Sequence, residues 1–219
     1  MSGHTFAFID LAGFTALTEA HGDEEAVDLL ERFVDLAEGA VVDRGRFVKS
    51  IGDAVMLTFP APEPALDATG DLFAACSEQV GFPAFRAGLH HGDAVERGGD
   101  WFGATVNLAA RVAAQAHGGQ VLATDVVARA AVAAGVPVVD LGSFELRHIT
   151  EPVELFEVRV CPGVAGGAVD PVCHMRVERD SAAGRLRHDD TDYWFCSLAC
   201  AQGFAAAPDR YVRKEAGTQ

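Results

Sequence analysis

The sequence predicts an α+β fold in which helices pack on one sheet. Residues 5–9 are a short apolar run of the length of a buried strand, and residues 47–49 and 55–59 alternate as strands do. Residues 23–42 instead carry apolar side chains at the helical period, with acidic residues in the first turn. Because hairpins as well as helical crossovers join these segments, an α+β sandwich is the expected architecture.

The later segments continue the same mixture of strands and helices. Residues 60–64 are proline-rich and are expected to break the chain. The helices predicted after the first hairpin are residues 65–80, 105–116 and 125–134. The strand-like segments are residues 85–95, 120–124, 136–139, 144–147 and 153–160.

Composition excludes several classes of function. The 219 residues carry a net charge of −15, and so acidic a surface does not fit a nucleic-acid or anionic-membrane binder. No apolar run has the length of a membrane span, and the N-terminal residues lack the features of a signal peptide. Five cysteines, an odd number, favour reduced thiols in the cytoplasm over a disulfide framework.

The chain divides by composition into two units. Residues 1–160 are long enough for one sizeable core, and the glycine-rich residues 161–168 are typical of a linker. Residues 169–213 form a second unit, too small for a large core of its own, in which residues 193–195 are strand-like and 197–207 a short helix. Residues 214–219 are a short tail.

The hairpin around Gly52 and Asp53 is the first candidate site. Gly52 permits the positive φ of a tight turn, which holds the Asp53 carboxylate at a rigid tip. A fixed carboxylate of this kind is a good magnesium ligand, although a solvated turn aspartate is the common alternative. Lys49, the only lysine before the C-terminal tail, lies beside this tip.

A second candidate carboxylate, Asp10, follows the first strand. The small-residue loop after it opens a helix at Phe14 and Thr15, whose backbone N–H groups would point at phosphate. Asp10 is therefore predicted to be a second metal ligand, with a helix-capping role as the alternative.

Two polar side chains share one face of the helix at 105–116. Asn107 and Arg111 are four residues apart, so a carboxamide and a guanidinium could handle a ribose and a phosphate together. An ordinary polar helix face is the alternative. His90 and His91 are adjacent on a strand and point to opposite faces, so a structural role is expected for both.

Three pieces of the chain, FIDLAGFT, VKSIGDAVMLTF and DWFGATVNLAARV, together resemble the class III nucleotidyl cyclase catalytic domain. The resemblance covers about residues 5–160 and implies a ferredoxin-like βαββαβ core. It implies a homodimer with active sites at the interface. It also implies that Asp10 and Asp53, helped by the Leu11 carbonyl, hold two Mg²⁺ or Mn²⁺ ions.

The same resemblance assigns the nucleotide contacts. Lys49 and Asp100 would read the purine, Asn107 would orient the ribose and Arg111 would stabilise the transition state. These four side chains would come from the partner of the chain that supplies the metal ligands. A lysine donor and an aspartate acceptor match the N1 and N6 edge of adenine and oppose that of guanine, which predicts ATP as substrate.

One stretch departs from the family pattern. After Phe144 the family has Leu-Lys-Gly, where this chain has Leu146, Arg147 and His148. Arg147 keeps a cation that would meet the triphosphate, whereas His148 replaces a glycine. The family pattern therefore does not specify the conformation of this loop.

The C-terminal unit, with DPVCHM and YWFCSLAC, resembles the YHS domain of the TRASH-like metal-binding group. Cys173, Cys196 and Cys200 match its spacing, and three thiolates suit copper(I) or zinc. The fourth ligand stays open among His174, His188 and Asp170, and a metal-free structural module is the alternative.

Three functions are compatible with these features. The first is a dimeric adenylate cyclase with a metal-responsive C-terminal module. The second is a cyclase-like signalling module that binds nucleotide or metal without catalysis, and the third is a metal chaperone with the large domain as scaffold. The complete set of six side chains favours the first.

Overall fold

The structure is a computed structural model that describes residues 3–79, 82–160 and 168–212. Its strands are β1 His4–Leu11, β2 Arg46–Ile51, β3 Ala54–Phe59, β4 Phe85–Gly92, β5 Val95–Arg97, β6 Asp100–Phe102, β7 Val121–Ala123, β8 Val138–Phe144, β9 Val153–Val158, β10 Ala168–Val169, β11 Arg176–Val177, β12 Gly184–His188 and β13 Thr191–Phe195. Its helices are α1 Phe14–His21, α2 Asp23–Ala40, α3 Pro62–Ser77, α4 Ala104–Gln115, α5 Asp125–Ala133 and α6 Leu198–Ala206.

Seven strands form the central sheet in the order β2-β3-β1-β4-β7-β9-β8. All neighbours are antiparallel except β4 and β7, which run parallel. The chain order β1-helices-β2-β3-α3-β4 with the spatial order β2-β3-β1-β4 is the βαββαβ arrangement that the resemblance implied. The predicted α+β class is confirmed.

The two faces of the sheet carry different layers of helices. Ala7 and Ile9 on β1 point into the large core beneath α1, α2, α3 and α5, while Phe6 and Phe8 point to the opposite face beneath α4. α4 lies directly on β4, because a Cβ at Gly88 would stand 2.0 Å from the Ala113 nitrogen. Only glycine permits this close approach, which fixes the height of α4 above the sheet.

Several predicted element boundaries were wrong, among them that of the strand predicted over residues 85–95, where β4 ends at Gly92 and β5 begins at Val95. α3 begins at Pro62 and not at residue 65, because proline is tolerated in the first turn, where its missing N–H has no helical partner. Residues 136–139 and 144–147 are not two strands. A single strand, β8, runs from residue 138 to residue 144 with an irregularity before Gly142, and Arg147 lies in the turn that follows.

The C-terminal unit docks on the larger domain. Pro83 forms a β-bridge with Met175, and backbone hydrogen bonds join Ala84 to His174 and Arg176 to Phe82. The apolar side chains of this unit, Cys173, Met175, Phe195, Cys200 and Phe204, are buried in the same core as the sheet. The unit therefore completes its core by sharing that of its neighbour.

The predicted linker is only partly described, since residues 161–167 and the tail beyond 212 lie outside the described residues. Ala168, assigned to the linker, lies in β10 instead. The short C-terminal helix is confirmed as α6, and the Ser197 side chain caps it by accepting a hydrogen bond from the Cys200 N–H. None of the helices in the described ranges combines the length and apolar composition that a bilayer span requires.

Candidate active site and a thiol cluster

The two predicted metal carboxylates lie side by side. Asp10 is near the end of β1, Asp53 is in the β2–β3 turn, and the Leu11 N–H donates to the Asp53 carbonyl at 3.3 Å. Burial raises the pKa of Asp10 above its ordinary value, and the nearby Asp53 carboxylate adds to this rise against the opposing effect of Arg86.

Arg86 is a site residue that the sequence reasoning missed. It lies opposite Asp10 in the β1–β4 register, and its Nε and Nη2 donate to Asp10 Oδ2 at 2.8 and 2.6 Å. Its partner is 76 residues away in sequence, so only the pairing of the two strands brings them together. Arg86 neutralises part of the negative charge that two adjacent carboxylates create.

The carboxylate pair has the properties of a divalent-metal site. Asp10 Oδ1 is buried and accepts no hydrogen bond from any residue in the described ranges, which is costly for an oxygen of this kind. Both neighbouring groups, Asp53 and the Leu11 carbonyl, offer further oxygens, which are the donors that magnesium prefers. The residues present therefore fit a hard divalent cation, which would supply the partner that Oδ1 lacks.

The predicted base-reading pair is held together by an ion pair. Lys49 Nζ lies 2.5 Å from Asp100 Oδ2, and Asp100 Oδ1 accepts the Trp101 N–H at 2.8 Å. The hydrogen bond from Lys49, followed by that from the Trp101 backbone, lowers the pKa of Asp100. One donor and one acceptor are thus presented together at the junction of β2 and β6.

Of the remaining predicted nucleotide contacts, Thr15, Asn107 and Arg111 are exposed, whereas Phe14 is half-buried and packs against the core. Asn107 and Arg111 lie on the solvent side of α4, and in the part of the chain that the structure describes neither side chain forms a hydrogen bond or ion pair. Phe14 and Thr15 open α1 directly after Gly13, whose φ of 79° turns the chain away from Asp10 and Leu11. These groups are available to a substrate or a second chain.

The departure from the family pattern at His148 has a defined geometry. The Ile149 N–H donates to the Leu146 carbonyl at 3.0 Å, which closes a β-turn with His148 at its third residue. His148 has a φ of 65°, a conformation that glycine adopts without steric penalty. The backbone keeps a glycine-like turn here, and Arg147 remains exposed within it.

We expect His148→Gly to raise the free energy of unfolding by roughly 0.5–1 kcal/mol. A left-handed conformation costs a non-glycine residue about 1–2 kcal/mol, and glycine relieves this cost. The greater conformational entropy that glycine loses on folding offsets about half of the gain. Urea denaturation measures the change. Ser143→Gly, in β8, is the control and should be destabilising, and a less stable His148→Gly protein would contradict the prediction.

The three cysteines of the C-terminal unit meet at one point. Cys196 Sγ lies 3.4 Å from Cys173 Sγ and 3.7 Å from Cys200 Sγ. The hydrogen bond from Cys173 lowers the pKa of the Cys196 thiol to about 7, while burial raises the pKa of Cys200 to about 12. His21, at the end of α1, places Nε2 3.5 Å from Cys196 Sγ, a contact that no local spacing in the sequence indicates.

None of the three residues left open as a fourth ligand belongs to this group of atoms within the described ranges. Asp170 accepts the N–H groups of Val172 and Cys196, His174 packs on Gly13, and His188 packs on the Phe204 ring. These alternatives were therefore wrong. Asp170 lies beside the thiols but is not among the clustered ligand atoms, whereas the two histidines pack against Gly13 and Phe204 instead.

The two strand histidines fill structural roles. His90 Nδ1 is 2.7 Å from Thr124 Oγ1, and His91 Nδ1 is 2.9 Å from Thr5 Oγ1. Burial, and then the neighbouring His91, lower the pKa of His90 to about 4, so it is neutral at physiological pH. The predicted structural role of this pair is consistent with these contacts.

Comparison with known proteins matches residues 2–158 to the family described as the adenylate and guanylate cyclase catalytic domain. A pH-sensitive adenylate cyclase of Mycobacterium tuberculosis is 43% identical over 161 residues, covering 71% of this chain and 40% of that protein. An adenylate cyclase of Streptomyces griseus is 38% identical over 106 residues, covering 48% and 27%. The chain thus spans less than half the length of these relatives.

A solved structure leads to the same fold. An adenylate cyclase of Trypanosoma brucei, described in its monomeric state, superposes with a TM-score of 0.66 and covers 74% of this chain and 92% of its own. Its sequence identity is 23%, so this likeness concerns the fold alone. The family match ends at residue 158 and leaves the C-terminal unit outside it.

Proposed function

The chain belongs to the adenylate and guanylate cyclase catalytic domain family, and we propose that it converts ATP to cyclic AMP and pyrophosphate. The observation that carries this proposal is the pair of carboxylates at Asp10 and Asp53, with one buried oxygen that lacks a partner. In this reaction the ribose 3′-oxygen attacks the α-phosphorus and pyrophosphate leaves. No protein nucleophile is needed, so the side chains act by positioning and by charge.

Asp10 and Asp53 would hold two Mg²⁺ or Mn²⁺ ions together with the Leu11 carbonyl. When bound, these ions would supply Lewis-acid activation of the 3′-hydroxyl and neutralise the triphosphate. The backbone N–H groups of Phe14 and Thr15, at the positive end of α1, would face the phosphates.

The other side chains would hold the nucleotide. Lys49 would donate to adenine N1 and Asp100 would accept from its amino group, while Asn107 would orient the ribose. Arg111 would meet the charge that grows on the α-phosphate, and Arg147 would contact the triphosphate. Both side chains on α4 are exposed and unpaired in the described protein, as a contact with a substrate held by another chain requires.

We propose that the enzyme is a homodimer in which each active site draws on both chains. The metal carboxylates would come from one chain, and the base-reading pair with Asn107 and Arg111 from the other. The odd number of cysteines, which favours reduced thiols, and the ATP substrate fit the cytoplasm. A binding-only signalling module remains the alternative function, and it predicts no turnover with any nucleotide.

We expect ATP to be used at least about 100-fold more efficiently than GTP, measured as kcat/KM with Mg²⁺ or Mn²⁺. Guanine would set its N1–H against the Lys49 ammonium and its O6 against the Asp100 carboxylate, and unpaired polar groups in a site discriminate strongly. Lys49→Ala should reduce the ratio, because one of the two opposing contacts disappears. Equal or faster turnover of GTP by the wild-type protein would defeat the assignment of ATP.

We further propose that residues 169–213 form a YHS-type module whose cysteines bind a soft metal ion. Cys173, Cys196 and Cys200 offer three sulfurs within reach of one ion, a donor set that suits copper(I) or zinc. In that case metal binding or thiol oxidation in the module would change the activity of the catalytic domain that it contacts.

A further inference from the structure

We propose that the C-terminal unit and the catalytic domain jointly build one tetrahedral zinc site, with Cys173, Cys196 and Cys200 as three ligands and His21 of α1 as the fourth. The four ligand atoms all lie within 4.8 Å of one another. At ordinary zinc bond lengths, two thiolates are about 3.8 Å apart and a thiolate and an imidazole about 3.5 Å apart. From Cys196 Sγ, the 3.7 Å to Cys200 and the 3.5 Å to His21 have this spacing, and the 3.4 Å to Cys173 is somewhat shorter.

The imidazole of His21 is turned for metal binding. Its Nε2 faces Cys196 Sγ, while Nδ1 lies 3.5 Å from Glu25 Oε2, one turn further along the chain. A proton on Nδ1 would meet this carboxylate and leave the Nε2 lone pair free for the ion. Metal-bound histidines usually have such a carboxylate on the other nitrogen, and it also strengthens the ligand.

The thiols are held by a separate set of backbone contacts. Asp170 is fully buried and accepts the Cys196 N–H, and Ser197 Oγ accepts the Cys200 N–H at the first turn of α6. These contacts fix Cys196 and Cys200 about one helical turn apart. Each oxygen of Asp170 accepts a backbone N–H and neither belongs to the four clustered ligand atoms, so Asp170 orients the site from its edge.

Two other states of the thiols are less well matched. A disulfide between Cys173 and Cys196 requires an S–S distance of about 2.05 Å, whereas the two sulfurs are 3.4 Å apart. A disulfide would also give no role to Cys200 or to the orientation of His21. Copper(I) is satisfied by thiolates alone, whereas three thiolates and one imidazole in a tetrahedron are a common structural zinc set.

The ion would connect the two units through α1. The C-terminal unit touches this helix at both ends, since the His174 ring packs on Gly13 just before its first turn and the thiols meet His21 in its last. α1 is eight residues, about 12 Å, long and directly follows Asp10 and Leu11. Zinc would therefore fix the helix whose first turn faces the phosphates, a link to catalysis that rests on the proposed cyclase function.

The test uses the reduced full-length protein and two readouts of metal. Plasma mass spectrometry should find about one zinc per chain, and cobalt(II) substitution should give a tetrahedral spectrum with thiolate charge transfer. His21→Ala should weaken zinc binding at least about 100-fold, and Glu25→Gln about 10-fold. His117→Ala, at an exposed loop position, and His188→Ala are the matched controls and should bind as the wild type does.

A second variant distinguishes loss of a zinc ligand in His21→Ala from misfolding of that protein. His21→Cys supplies a fourth thiolate, so it should keep tight binding and increase the cobalt charge-transfer absorbance by roughly a third. The proposal is overturned if His21→Ala binds zinc as the wild type does, if His188→Ala weakens binding equally, or if the purified protein holds copper. A Cys173–Cys196 disulfide in freshly isolated protein, with no zinc, would also overturn it.

Hydrogen exchange separates this inference from the cyclase proposal. Zinc should slow the exchange of the α1 amides in the wild-type protein but not in His21→Ala. A protein that binds zinc and protects α1 but makes no cyclic AMP would refute the proposed activity and leave the site standing. Cyclic AMP production without zinc binding would refute the site alone.

Discussion

Asp53→Asn is expected to reduce cyclic AMP production by about 10²–10³-fold without loss of the fold. A carboxylate that holds catalytic metal contributes several kcal/mol to the transition state, and each 1.4 kcal/mol is a factor of ten in rate. Asp10→Asn should behave in the same way. Initial rates with Mg²⁺ or Mn²⁺ measure the loss, and Asp28→Asn, an exposed change on α2, serves as the matched control.

The same Asp53→Asn substitution that lowers activity should raise the stability of the metal-free folded protein. The raised pKa of Asp10 means that its ionised form is disfavoured in the folded protein, so metal-free protein loses stability as pH rises through that pKa. Asp53→Asn removes the neighbouring charge and should make this loss smaller. At neutral pH, added Mg²⁺ should raise the Tm of the wild type more than that of the variant. An Asp53→Asn protein that stays fully active would remove the metal assignment.

Mixing two inactive variants is expected to restore activity. Asp53→Asn damages the metal half of a site and Arg111→Ala the partner's half, where losing a transition-state donor costs about 10²–10³-fold. In a heterodimer one site carries both defects and the other is intact. Random pairing of a one-to-one mixture should therefore give roughly a quarter of wild-type turnover.

The control for this mixture combines two variants of the same half-site. Asp10→Asn and Asp53→Asn leave no intact site in their heterodimer, so their mixture should stay inactive. If the first mixture also stays inactive while both proteins dimerise, sites shared between chains are excluded. If Arg111→Ala alone is as active as the wild type, the transition-state role of Arg111 is refuted.

Local pattern was sufficient for the elements that carry the active site. The turn at Gly52 and Asp53, the strand that ends near Asp10 and the helix that carries Asn107 and Arg111 are all where the periodicity of the sequence predicts them. Each of these depends on residues within a few positions of one another, which is the range over which sequence periodicity is informative.

What the sequence did not reveal depends on contacts between distant segments. Arg86 meets Asp10 only through the register of β1 and β4, and His21 meets Cys196 across 175 residues. The sequence offers only neighbouring residues as a fourth partner of the thiols, and of these Asp170 accepts backbone N–H groups in the folded chain. Only the docking of the C-terminal unit decides which histidine is available.

The shared core also determines how the role of the C-terminal unit can be studied. Truncation before residue 168 would remove the buried apolar side chains that the C-terminal unit contributes to the shared core, together with the β-bridge partner of Pro83. A shortened protein would therefore be prone to aggregate, and its lost turnover would reflect damage to the scaffold. Point substitutions at the edge of the contact between the two units leave the shared apolar core intact. Such variants can distinguish a regulatory role of the C-terminal unit from its contribution to folding.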